Sequence, residues 1–347
     1  MSNGQVVAAV DGSEHSLVAL EWARAAALRH GTGLVVAHVL PDSSQLYAAR
    51  RSALRDASQP EEFADPVADR VRALLAAAPE LPAEVRYEAL EGSVPEALRA
   101  VGADARMLVM GSRGRGGVAA LLLGSNSRAV ATSAACPVVV VRHAERGAGA
   151  DAGAGGGAGA EASAGRVVLG LHASETPDDV LDFAFAEAAA RGTTVQVVSA
   201  YVVPPAPTMV VDAPFVVIPP EVLAGPGSES ESGAGGEGGS GEAADGVPAE
   251  REMLRSQTQR LAPLRARYPQ VPVEQAAVPG DAAGSLAAAS RSAALVVVGR
   301  HHPRRHVRSL MIGSVAHALL QHAHGPVAVV PTLPGRPDAP GASEEGL

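Results

Sequence analysis

A chain of 347 residues with a formal net charge of −9 has room for two domains of ordinary size and little attraction for a phosphodiester backbone. Hydrophobic residues make up 47% but aromatics only 3%, so the cores must be built from Val, Leu and Ala, as in helix-covered parallel sheets. Apart from histidine every basic side chain is arginine, which excludes a P-loop lysine and any Schiff-base mechanism. The single cysteine, Cys136, excludes an internal disulfide and a thiolate zinc cluster, and its place before Pro137 and a valine run reads as a buried structural thiol. The amino terminus lacks a basic n-region, and no apolar run approaches the ~20 residues of a membrane span. The expectation is a cytoplasmic protein with neither membrane nor nucleic-acid partners.

Gln5–Asp11 is a short apolar run ending in a polar residue and Gly12, and it reads as a buried parallel strand. Ser13 caps a helix over Glu14–His30, with Leu17, Leu20, Ala23, Ala27 and Leu28 on one face, and Gly31 stops it. Leu34–Leu40 is a second strand, Phe63–Ala78 a helix ended by Pro79 and Pro82, and Glu84–Leu90 a third strand. Ser93 and Glu96 make a capping-box start for a helix through Val101. Met107–Met110 is the fourth strand, Gly111–Gly124 a loop, Ser125–Ala135 a helix and Val138–Arg142 the fifth strand. Five strands alternating with four helices predict a parallel sheet with right-handed crossovers.

The same order then recurs. Arg166–His172 answers the first strand, Gly192-Thr193 answers Gly31-Thr32, Gly280 answers Gly92, Gly299 answers Gly111, and Gly313-Ser314 answers Gly124-Ser125. The offset between matching glycines grows from 161 at Gly31/Gly192 to 188 at Gly92/Gly280. Ala224–Glu250, acidic and rich in Gly and Ser, has the length of that difference and reads as a disordered insertion. The domains are therefore placed at 1–143 and 166–331, joined by an Ala/Gly linker over 144–165 and followed by a disordered tail over 332–347.

The segment Gly111–Ser127, GSRGRGGVAALLLGSNS, carries the chemistry. Its glycines let backbone N–H groups approach an anion with no Cβ in the way, and the helix opening at Ser125 offers free N–H groups and a favourable dipole. Ser125 and Ser127 add hydroxyls. Arg113 and Arg115 can reach a phosphate or stay solvated. Asp11 stands at the carboxyl end of the first strand, where an open parallel sheet leaves its ligand crevice. There it can accept from a ribose hydroxyl or an adenine amine, or act as a helix cap.

G-x2-G-x9-G-S, following a V-x-x-V-D-G-S strand end, resembles the ATP-binding class of universal stress proteins over both halves. The resemblance implies two tandem Rossmann-like (adenine nucleotide alpha hydrolase-like) α/β domains. Each would be a five-stranded parallel sheet flanked by helices, of strand order 3-2-1-4-5. It also implies pairing through the last strands, as an intrachain pseudo-dimer or a homodimer. ATP, with or without magnesium, or another adenine nucleotide is the implied ligand. By the same resemblance Ala9, Val10, Asp11 and Val39 line the adenosine, and Gly111, Gly114, Gly124, Ser125 and Ser127 take the phosphates. Asn126 departs from the family's usual Val; its amide can donate to phosphate or face solvent.

The second half departs further. His172 replaces the aspartate, His302 replaces the middle glycine, and ten residues rather than nine precede Gly313. Its histidines (His301, His302, His306, His317, His322, His324) settle on no metal-ligand spacing, so no metal is expected. The expected role is a nucleotide-binding stress or regulatory protein with no catalytic residues and at most very slow ATP hydrolysis. The alternatives are an oligomerising protein without ligand and a slow ATPase or adenylyl-transfer enzyme.

Overall fold

In the computed structural model, residues 4–40, 65–114, 123–142, 165–201, 248–300 and 312–332 are described. Residues 144–164 of the linker, the tail from 333, and residues 224–247 of the insertion lie outside them. The first half runs β1 (Val6–Val10), α1 (Glu14–His30), β2 (Leu34–Val39), α2 (Pro66–Ala76), β3 (Val85–Leu90), α3 (Val94–Val101), β4 (Met107–Gly111), α4 (Ser125–Ser133) and β5 (Val138–Val141). The second half repeats it as β6 (Arg166–Gly170), α5 (Asp178–Arg191), β7 (Val195–Tyr201), α6 (Pro248–Arg267), β8 (Val273–Pro279), α7 (Ala282–Ala289), β9 (Ala293–Gly299), α8 (Ser314–His322) and β10 (Val327–Val330).

All ten strands form one sheet, β3-β2-β1-β4-β5-β10-β9-β6-β7-β8. Each half is parallel in the order 3-2-1-4-5, and the halves meet where β10 pairs antiparallel with β5. The strands read as continuous Val/Ala/Leu runs because helices cover both faces. One core lies under α1, α2, α5 and α6, around Leu20, Ala23, Leu181 and Phe185. The other lies under α3, α4, α7 and α8, around Leu98, Val130, Leu286 and Leu319. Cys136 is buried in the second core, and burial pushes its thiol up to about 11.

Local chemistry sets the element ends. The Ser13 hydroxyl accepts from Ser16 N at the start of α1. Gly31 and Gly192 close α1 and α5 in the left-handed conformation, with φ of 59° and 62°. At Ser93 the capping box takes another form: the hydroxyl donates to Glu96 Oε2 at 2.8 Å and caps no backbone N–H. Pro248–Glu250, counted in sequence with the insertion, belongs to the first turn of α6, where a proline costs no helical hydrogen bond. The helix at Ser125 ends at Ser133, two residues early, since the backbone at Ala134 is already extended.

Where the halves meet, the end of α1 packs on α5. Glu187, 1% exposed, accepts a hydrogen bond from His30 Nε2 at 2.6 Å and from the Arg191 guanidinium. Burial works to raise the Glu187 carboxyl from its ordinary 4.5, but the His30 hydrogen bond and the charges of Arg191 and His30 outweigh it and hold it at about 2. Arg29 is the further cation facing the cluster. A carboxyl depressed in the folded state stabilises fully above its unfolded value and loses that contribution as pH falls towards its folded value. The loss should therefore run from about 4.5 down to about 2. Glu187→Gln should lower stability at neutral pH by about 3–5 kcal/mol, because it leaves buried cations unmatched. It should also remove this part of the acid dependence, as read by urea unfolding over a pH series.

Candidate functional site

The carboxyl ends of β1 and β4 bring Asp11 and the Gly111 loop together. Asp11 Oδ1 accepts from Ser13 N at 3.0 Å and Ser13 Oγ at 2.6 Å, so one oxygen braces the start of α1. The other oxygen faces the loop: a Cβ built on Gly114 would stand 2.5 Å from Asp11 Oδ2. Gly114 is thus required by the carboxylate's approach, while its backbone lies outside the left-handed region. Gly111 is less forgiving, since its Cβ would meet the His15 backbone at 2.8 Å, and backbone cannot swing aside as a side-chain tip can. Two glycines in the loop therefore serve contact with the first turn of α1.

The loop closes on itself. Gly124 N donates to Ser112 O at 2.7 Å, Ser112 N donates to Val141 O, and Ser127 Oγ donates to Gly111 O at 2.8 Å. Ser127 is buried, and its hydroxyl hydrogen is committed to this brace. Gly124 is the N-cap residue of α4, with Ser125 and Asn126 exposed beside it. Those first-turn N–H groups and the helix dipole face solvent at the crevice, ready for an anion. Arg115 and residues 116–122 lie outside the described residues.

Ala9 and Val39 share the α3/α4 side of the sheet, where Leu123 also packs. Val10 alternates to the opposite side and packs with α1, so its side chain does not line the same wall. Two arginines unmarked by the sequence reading stand close by. Arg70 on α2 donates to Gly12 O at 2.6 Å and ties that helix to the β1–α1 turn. In the second half Arg260 on α6 makes a similar tie, donating to Thr176 O. Arg142, just past β5, is held below the ordinary guanidinium range by burial and then by the charge of Arg113. Arg113 itself lies beside Gly124, at the start of α4. The position of α2 rests on Asp65, which caps it and accepts from Tyr87 Oη at 2.6 Å, with His38 Nδ1 at 3.2 Å.

In the second half the loop closure persists: Gly313 N donates to Arg300 O at 2.7 Å, absorbing the extra residue within the loop. The strand end does not persist. β6 stops at Gly170, and His172 is exposed, with Ser174 Oγ at 3.3 Å from Nδ1 and Glu175 Oε2 at 3.9 Å. His301, His302 and His306 lie outside the described residues. Among the described residues no three His, Cys, Asp or Glu side chains are placed to hold a metal ion, and no helix is long and apolar enough to cross a membrane.

A profile of the universal stress protein family matches residues 3–142 and again 164–331. The chain belongs to the universal stress protein family. It is similar to a universal stress protein of Mycobacterium tuberculosis, 29% identical over 333 residues, covering 93% of this chain and 96% of that one. A shorter universal stress protein of Thermus aquaticus is 35% identical over 142 residues, 40% of this chain and 97% of that one. Among solved structures, a universal stress protein of Archaeoglobus fulgidus superposes with a TM-score of 0.55 at 16% identity, covering 95% of this chain and 97% of that one. That likeness shows the tandem fold.

The crowding around the loop makes a direct test. Gly111→Ala should destabilise the chain by about 1–3 kcal/mol, since backbone must move to admit a methyl group. Gly114→Ala should cost less, because the obstructing atom is the tip of the Asp11 side chain. Urea unfolding of the two variants should rank them in that order.

Proposed function

We propose that this universal stress protein binds one adenine nucleotide, ATP in the first instance, in half one. What carries the reading is the reserved space at Gly114: the loop touches Asp11 with no side chain between, beside a helix N-terminus whose first residues are exposed. This fits a phosphate-bearing ligand. The N–H groups at Ser125 and Asn126, with Arg113 and Arg115, would hold the phosphates. Ala9 and Val39 would wall the adenosine, and Asp11 Oδ2 would accept from the ribose. Ser127 braces the loop from behind. Bound ATP would supply a signalling state rather than a reaction, because Asp11 would be held between Ser13 and the ribose, away from an attacking water at the terminal phosphate. Hydrolysis should accordingly be far slower than the usual enzymatic range of about 1–10³ per second.

Titration calorimetry with ATP should give a stoichiometry near one for the intact chain. Gly114→His should bring it near zero by filling the space beside Asp11. His302→Gly should leave it at one, because His172 still replaces the aspartate. A stoichiometry near two, or undiminished binding by Gly114→His, would put the nucleotide elsewhere. Turnover in the enzymatic range that survives purification and is lost in Asp11→Ala would favour an ATPase.

A further inference from the structure

The seam between the halves is two-fold in plan and unlike in content. Val139 of β5 lies opposite Ala328 of β10, and Val140 and Val138 lie opposite Val327 and Val329. Those positions match one another in the two repeats, so a pseudo-two-fold axis passes between Val139 and Ala328. About that axis α1 and α5 meet. Because Gly31 matches Gly192, His30 matches Arg191, Ala26 matches Glu187 and Trp22 matches Phe183.

Half one therefore brings Trp22, Arg29 and His30 to the contact, with Ala26 where half two carries its acid. Arg29 and Arg191 both stand over the Trp22 ring, at 5.7 and 5.4 Å from its centroid. Arg29 Nε and Arg191 Nη2 are buried without a hydrogen-bond partner, so the indole face and Glu187 meet their charge. Burial and the Arg191 charge lower Arg29 to about 10, and Glu187 works against that shift. One carboxylate thus offsets part of the positive charge of a cluster drawn from both halves.

We propose that this cluster makes the seam selective: half one accepts half two and rejects a second copy of itself, so the chain closes on its own seam. Half one against half one would set Ala26 where Glu187 stands, and Arg29 and His30 would face their own copies with no acid. Burying unmatched cations is costly. Half two against half two would keep Glu187–Arg191 contacts, yet every such pairing would strand two halves of the first kind. One forbidden pairing is therefore enough to enforce the mixed one. The all-valine β5, which would otherwise be an open edge inviting another chain, is covered from within.

The test uses the full chain and Glu187→Gln, which keeps the side chain's size and removes its charge. Amide exchange by mass spectrometry should rise roughly 10²-fold or more at 138–141 and 327–330 relative to β1 and β6. Mass by light scattering should grow with concentration as opened seams pair between chains, and Trp22 emission should shift to the red. Seam strands that stay as protected as in the unchanged chain would overturn the proposal. So would protection lost equally from every strand, which would make Glu187 a stabiliser of the whole fold rather than of the seam. Should Glu187→Gln fail to fold, Ala26→Glu gives half one the missing acid and makes it self-complementary. That variant should associate where the unchanged chain does not, and a folded, strictly monomeric Ala26→Glu chain would overturn the proposal.

Discussion

How closely the β4–α4 loop can approach the first turn of α1 governs the whole carboxyl edge of half one. Both segments emerge from adjacent parallel strands, so their backbones leave the sheet side by side. With a side chain at 111 they would be forced apart, and with one at 114 the Asp11 carboxylate would be displaced. Close approach lets a strand-end acid and a helix N-terminus face one crevice although more than a hundred residues separate them in sequence. The crevice is thus a product of missing side chains as much as of present ones.

The sequence disclosed this arrangement unevenly. α1 was legible to the residue because Ser13 and Gly31 are chemically unambiguous ends. The strands were legible because a two-sided cover demands unbroken apolar runs, and the repeat supplied the rest of the topology. Side-chain direction was less legible: Val10 sits between two site residues in sequence, yet the pleat sends it to the other face. Ser93 kept the capping-box residues while making a different bond. Glu187 and His30 drew no notice, since an acid and a histidine 157 positions apart carry no local pattern. Only the two-fold relation of the halves brings them together.

The seam is stitched on its other side by arginines as well. Arg142 donates to Leu320 O at 2.7 Å and to Gln321 O, at the end of α8, and Arg300 donates to Ala134 O at 2.5 Å, at the end of α4. Each half thus places a cation at the negative end of the other's last helix. The two arginines come from unmatched positions, one after β5 and one after β9. Arg142 also lies within the electrostatic reach of Arg113, at the start of the loop of half one.

The loop-closing bond outlived the features that set half one apart. Gly124 to Ser112 and Gly313 to Arg300 have the same length, although one loop stands beside an aspartate and the other beside a strand end that has lost it. Closure is therefore a property of the scaffold and asks nothing of a bound molecule. A duplicated domain built this way can drift in its pocket while keeping its outline, and its sister goes on meeting an unchanged mate. On the proposed reading, duplication separates the two jobs, leaving one copy answerable to chemistry and the other to shape.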